Sequence, residues 1–161
     1  ADLEDSSLQA RRICPIRMVL CASPDYLSEH GTPTSPEDLA GHRLLHYDGG
    51  SGRPLRLAGT DGKLRVVRAK PRVTANNGDF LCEMAAAGLG VCRIPTFIAW
   101  QALRSGELVT VLDGYPQAAL AAWAVYPRNR YLTRRARALI DFLVARFGEH
   151  PYWDDVSESV P

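Results

Sequence analysis

The stretch from Thr74 to Pro95, T-A-N-N-G-D-F-L-C-E-M-A-A-A-G-L-G-V-C-R-I-P, limits what this chain can fold into more than any other. A strand end at Thr74 is followed by a polar helix start, a short apolar helix, a glycine stop at Gly88 and a buried strand through Val91–Ile94. Such a unit puts the free N–H groups of a helix N-terminus at the mouth of a parallel sheet. Open α/β sheets bind small molecules at that mouth. The amides of Asn76, Asn77, Gly78, Asp79 and Phe80 are therefore expected to face a crevice sized for a metabolite, with Gly78 allowing close approach to the backbone. Asp79 suits the helix dipole but opposes an anion. Capping of the helix by Asn76 or Asn77 is the plain structural account of the same residues, and both roles can hold together.

The rest of the chain repeats this grammar. Arg17–Ala22 contains a short buried strand, Ser23-Pro24 an N-cap with proline at the first helical position, and Gly31 a helix stop. Ser35-Pro36-Glu37-Asp38 opens a second short helix ending near Gly41, with Asp38 placed to reach back to the cap. Arg43–Tyr47 reads as a strand, and Gly49–Gly52 as a loop. Leu55–Leu57 and Leu64–Val67 read as a hairpin about Asp61-Gly62, and Arg72–Thr74 as another strand. A helix over Phe97–Leu103, a strand over Leu108–Leu112 and the most apolar strand, Leu120–Tyr126, follow. Thr133 caps a last helix, Arg134–Phe147, whose stripe Ala136, Leu139, Ile140, Leu143 and Phe147 faces a core while most arginines lie off it. The order of strands, short helices and one hairpin is α/β with a mixed sheet.

Charge and cysteine usage narrow the function. The formal net charge of +1 over 161 residues gives no surface dominated by phosphate contacts, so DNA binding by this chain alone is not expected. Cys14, Cys21, Cys82 and Cys92 form no C-x-x-C pair and read as buried apolar thiols. No signal peptide and no bilayer-spanning run is seen, which fits a reducing cytoplasm and no membrane partner. The chain lacks an initiating Met and shows no recognisable element before Ile13, as expected of a fragment, and its polar end after Gly148 reads as frayed.

Further site candidates carry two readings each. Ser23 and Pro24 open a helix at a strand end, so they border a cleft or only cap. Arg93 stands in an apolar strand and needs an acid, a ligand or solvent. Pro95 and Thr96 follow that strand, and Thr96 offers its hydroxyl to the cleft or to the next helix. His42 and His46 have zinc-helix spacing, but Arg43 replaces the catalytic Glu and the pair falls at a strand start, so no metal is expected. There is no nucleophile elbow and no convergent titratable set, hence no catalytic residue, no enzyme and no cofactor. Gly88-Leu89-Gly90 is too short for a dinucleotide fingerprint.

Three stretches carry a family likeness: Val19–Leu27 with Pro36–His42; Thr74–Pro95; and Ala124–Pro127 through Leu132–Phe142 and Leu143. Their order and spacing resemble the effector-binding domain of LysR-type transcriptional regulators, in the branch with L-A-G-H and an Asn-Asn-Gly helix start. The resemblance implies a lobe of the periplasmic-binding-protein-like (type 2) fold with an incomplete second lobe. Residues 17–126 would be lobe II, 1–16 and 127–148 remnants of lobe I, and 149–161 a flexible tail. Met18–Ala22 and Trp123–Tyr126 would be the hinge crossovers, and the incomplete lobe would expose sheet edge and core surface. The function implied is sensing of a small-molecule effector, an organic acid or aromatic metabolite, by a homodimer or homotetramer. DNA would be bound only through an N-terminal winged helix outside this chain. Asn76, Asn77, Gly78, Asp79, Phe80, Ser23, Pro24, Arg93, Pro95 and Thr96 would contact the effector. A solute-binding protein of a transport system shares the fold and is the alternative.

Overall fold

The computed structural model describes residues 8–48, 55–58, 64–67, 69–115, 120–128 and 132–155. The strands are β1 (Leu8–Ile16), β2 (Met18–Ala22), β3 (Leu44–Tyr47), β4 (Arg56–Ala58), β5 (Leu64–Val66), β6 (Val73–Ala75), β7 (Val91–Pro95), β8 (Val109–Val111) and β9 (Leu120–Pro127). The helices are α1 (Pro24–His30), α2 (Gly78–Ala86), α3 (Thr96–Ser105) and α4 (Arg134–Phe147). The second short helix expected from the sequence is a 3₁₀ turn, Pro36–Gly41.

A five-stranded sheet in the order β6-β3-β7-β2-β8 forms the centre. β3 is parallel to both β6 and β7, whereas β2 runs antiparallel to β7 and β8. Alternation along β2 divides the core: Val19 and Cys21 join Leu81, Ala85, Ile94 and Ala99 under α2 and α3, while Leu20 and Ala22 join Tyr26, Leu39, Leu57 and Val91 on the opposite face. The expected hairpin is present as antiparallel β4 and β5; its Asp61-Gly62 turn and the Gly49–Gly52 loop lie outside the described residues.

β1 and β9 form a separate two-stranded antiparallel ribbon, with α4 packed on β1. One expectation is corrected here. The chain holds a strand from Leu8, ahead of Ile13, because β9 supplies its backbone partners. Met18–Ala22, read from the resemblance as a crossover, is a strand of the five-stranded sheet, between β7 and β8. In β9, Leu120, Trp123 and Val125 are exposed. Likewise the α4 stripe is only partly covered, with Ile140 buried but Leu139 58% exposed.

The segment after Gly148 also departs from expectation. Instead of fraying, the chain turns at Gly148, buries Pro151 and Trp153 and forms a 3₁₀ turn, Tyr152–Asp154, against α3. Aromatic contact supplies the reason: Trp153 packs between Phe147 and Phe97, with centroid separations of 5.0 and 6.1 Å. Residues 1–7 and 156–161 lie outside the described residues.

Candidate ligand-binding cavity

β3, β6 and β7 are parallel, so their carboxyl ends, Tyr47, Ala75 and Pro95, reach the same edge of the sheet. The antiparallel β2 begins at that edge, where Met18 faces Pro95. α2 and α3 start there too, directly after β6 and β7. A cavity of ≈1220 Å³ opens at this edge. It is larger than the usual range for small-molecule sites, about 300–1,000 Å³.

At the start of α2, Asn77 is the cap. Its Oδ1 accepts from the Phe80 N–H at 3.2 Å, and its carbonyl accepts from the Leu81 N–H at 3.3 Å. Among the described residues the Gly78 and Asp79 N–H groups of the first turn have no backbone or side-chain acceptor, and both residues line the cavity. Asn76, Asn77, Gly78 and Asp79 all line it. Gly78 is set tightly against α3: a Cβ there would stand 2.5 Å from Ile98 Cδ1.

From β7, Arg93 and Pro95 line the cavity. Arg93 pairs with Leu20 across β2 and is half-buried, and burial pulls its guanidinium down from its ordinary pKa. The cationic or ionisable groups His46 and Arg56 line the same space, with Asp79 as the carboxylate. Apolar walls come from Met18, Tyr47, Leu55, Phe97, Ile98 and Leu120. The resulting arrangement offers backbone donors and guanidinium groups over an apolar floor.

Four expected residues lie off the cavity. Ser23 and Pro24 sit at the opposite edge of the sheet, because β2 runs against β7 and ends where β7 begins. There Ser23 Oγ accepts from the Tyr26 N–H at 3.2 Å, a plain cap. Phe80 is exposed on the outside of α2. Thr96 is buried, and its hydroxyl donates to Asp154 Oδ1 at 2.5 Å, with the Arg17 carbonyl also 3.3 Å away. His46, Tyr47, Arg56, Phe97 and Ile98 were not among the sequence candidates; being at strand ends or helix starts of the same edge is their only sequence signal.

His42 and His46 part company: His42 Nδ1 is 3.2 Å from the Tyr26 hydroxyl, and His46 lines the cavity. Among the described residues no group of three His, Cys, Asp or Glu side chains is placed to hold a metal ion. All four cysteines are buried and free.

A mixed sheet whose parallel strands end at a cavity, beside a separate two-stranded ribbon, is an architecture of the periplasmic-binding-protein-like class. The LysR substrate binding domain model matches residues 1–148, and the chain belongs to that family. It is 34% identical over 151 residues to the HTH-type transcriptional regulator YhjC of Escherichia coli, covering 92% of this chain and 50% of that protein. An HTH-type transcriptional regulator of Haemophilus influenzae is 35% identical over 130 residues, 81% of this chain and 45% of that one. The regulatory domain of CrgA, a LysR-type transcriptional regulator from Neisseria meningitidis, superposes with a TM-score of 0.78 at 31% identity, over 92% of this chain and 72% of that one. The chain spans about half the length of the curated relatives it matches. These relatives are transcriptional regulators, which favours an effector-binding domain over a transport solute-binding protein.

Proposed function

We propose that this chain senses a small organic acid for a longer DNA-binding regulator, holding it in the cavity at the carboxyl ends of β3, β6 and β7. One observation carries the reading: the first turn of α2 and the half-buried Arg93 line one space with an apolar floor. An acid group meets the Gly78 and Asp79 amides and the guanidinium. An aromatic or aliphatic body rests on Phe97, Ile98 and Met18. Asp79 selects against a second acid group close to the helix start.

Residues 17–126 are taken as lobe II, and β1 and α4, within 1–16 and 127–148, as parts of lobe I. The exposed Leu139 and Phe142 of α4 then belong to an interface with the remainder of lobe I. In the whole protein, effector binding favours one inter-lobe angle in a cytoplasmic dimer or tetramer, and a separate helix-turn-helix binds DNA. No catalytic step is assigned to it. Among the described residues no helix is long and apolar enough to cross a membrane.

Thermal-shift screening of aliphatic and aromatic carboxylates on the longer protein tests this. A ligand at 100 times its Kd stabilises by about 2.7 kcal/mol. The hit is expected to lose at least about tenfold in affinity with Arg93→Gln, a cost of about 1.4 kcal/mol. An affinity unchanged by both Arg93→Gln and Asn77→Ala places the ligand elsewhere.

A further inference from the structure

Three parts of the chain, distant in sequence, meet at the first turn of α3. The Thr96 N–H donates to the carbonyl of Arg17, the residue between β1 and β2, at 2.9 Å. The Thr96 hydroxyl donates to Asp154, 58 positions away. α3 has no side-chain cap of its own, since Pro95 occupies that position, so the Asp154 carboxylate stands at the positive end of an otherwise uncapped helix.

The segment carrying Asp154 is also fastened to α4. Trp153 lies against Phe147 at the end of α4 and against Phe97 on α3. Tyr152 meets Trp100 edge-on at 5.7 Å, and the Arg146 guanidinium lies 5.1 Å from the Tyr152 ring. At the start of the segment Glu149 pairs with Arg12 of β1. Phe97 and Ile98 are cavity residues, so the far side of the cavity wall is braced by the end of the chain.

We propose that Pro151–Asp154 is a strap that carries displacement of the cavity wall on α3 to α4 and the β1–β9 ribbon. The strap has a built-in release. Trp153 Nε1 is buried without a hydrogen-bond partner among the described residues, a penalty offset by the ring contacts and relieved once the indole reaches water. That a bound acid causes the displacement rests on the proposed function above; the strap itself does not.

Gly78 gives a lever that needs no ligand, because a methyl group there presses on Ile98. Spectra of the 161-residue protein are compared for wild type, Gly78→Ala, Asp154→Ala and the double variant. Gly78→Ala is expected to shift the Trp153 indole N–H resonance and the amides of Phe147 and Gly148. With Asp154→Ala added, the shifts along α3 persist and those at Phe147 and Gly148 are lost. Unmoved Trp153 and Gly148 resonances overturn the strap, as does a Gly148 shift that survives in the double variant. Should Gly78→Ala not fold, Ile98→Val withdraws the contacting methyl and is judged by the same resonances. A benzoate titration then separates the two ideas. Shifts at Gly78, Arg93 and Ile98 without any at Trp153 reject the strap and keep the binding site; a working Gly78 lever with no carboxylate response at Gly78 or Arg93 keeps the strap and rejects the acid-binding reading.

Discussion

Gly90 is packed onto the backbone of Arg43: a Cβ on Gly90 would stand 2.1 Å from the Arg43 carbonyl oxygen. That same oxygen accepts the Val91 N–H at 2.9 Å, the bond that starts the β3–β7 pairing. Gly90→Ala therefore drives β7 away from β3 at the strands that end in the cavity. Overpacking against backbone costs about 3 kcal/mol or more. Urea unfolding is expected to show that loss, and a loss under about 1 kcal/mol would show that the β3–β7 join yields freely.

Asn77 separates capping from ligand contact. Asn77→Ala removes the acceptor for the Phe80 amide and is expected to cost about 1 kcal/mol. Asn77→Asp keeps an acceptor and adds a negative charge beside the cavity. Its melting temperature should stay near wild type while carboxylate affinity falls. Equal affinity in Asn77→Asp and wild type contradicts an acid group at the α2 start.

Acid should weaken the fold through His42. Burial lowers its pKa below the ordinary 6.5, the nearby His30 lowers it further, and Asp38 opposes both. Above about pH 6.5 the imidazole is neutral in both folded and unfolded chains, so it contributes no slope. As pH falls below that value the unfolded chain takes up a proton that the folded one resists, and stability drops. Denaturation at pH 7.5 and 5.5 is expected to show the drop, and His42→Gln to reduce it.

Asp38 acts in a lower window. Its carboxylate accepts from the Thr34 and Ser35 N–H groups at 2.8 and 2.9 Å and from the Thr34 hydroxyl at 2.9 Å. Those bonds bring its pKa down from 3.8 to about 2. The stabilisation is present above the ordinary carboxylate value and is lost as pH falls from there through about 2. A carbon-detected carboxyl titration should place the Asp38 midpoint near 2, and a midpoint of 3.8 would mean the turn is open in solution.

The thiols should be slow to react. Burial pushes Cys82 up to about 11, which leaves about one-hundredth of the thiolate of an ordinary cysteine at a given pH. Cys21 and Cys92 face each other across β2 and β7 with Sγ atoms 3.5 Å apart and no exposure. Folded protein is expected to resist iodoacetamide at pH 8 and to label fully in urea. Rapid labelling of Cys82 in the folded state would show that α2 opens.

Much of the sheet was legible because its signals are local. Asn77, Ser23 and Thr133 read as helix caps and each accepts the expected amide. β2, β3, β6 and β7 follow from short apolar runs with clear stops. β1 was not legible: Leu8-Gln9-Ala10-Arg11-Arg12 has no apolar period, and its strand character comes from partners over 100 residues away. The docked Trp153 was missed for the same reason, since its partners Phe147 and Phe97 sit on two helices distant from each other in sequence.

Part of the cavity lining was also within reach. Asn76 to Asp79 and Arg93 belong to one local unit, and the sequence fixes that unit because caps, glycines and apolar spacing act within a few residues. Strand direction is a different matter. Ser23-Pro24 and Asn77-Gly78 look alike as helix starts, yet they lie at opposite edges of the sheet because β2 runs against β7 and β6 runs with its neighbours. Local chemistry determines where a helix begins; only the pairing of distant strands, a property of the closed sheet, decides which beginnings share a cavity with His46, Arg56 and Phe97.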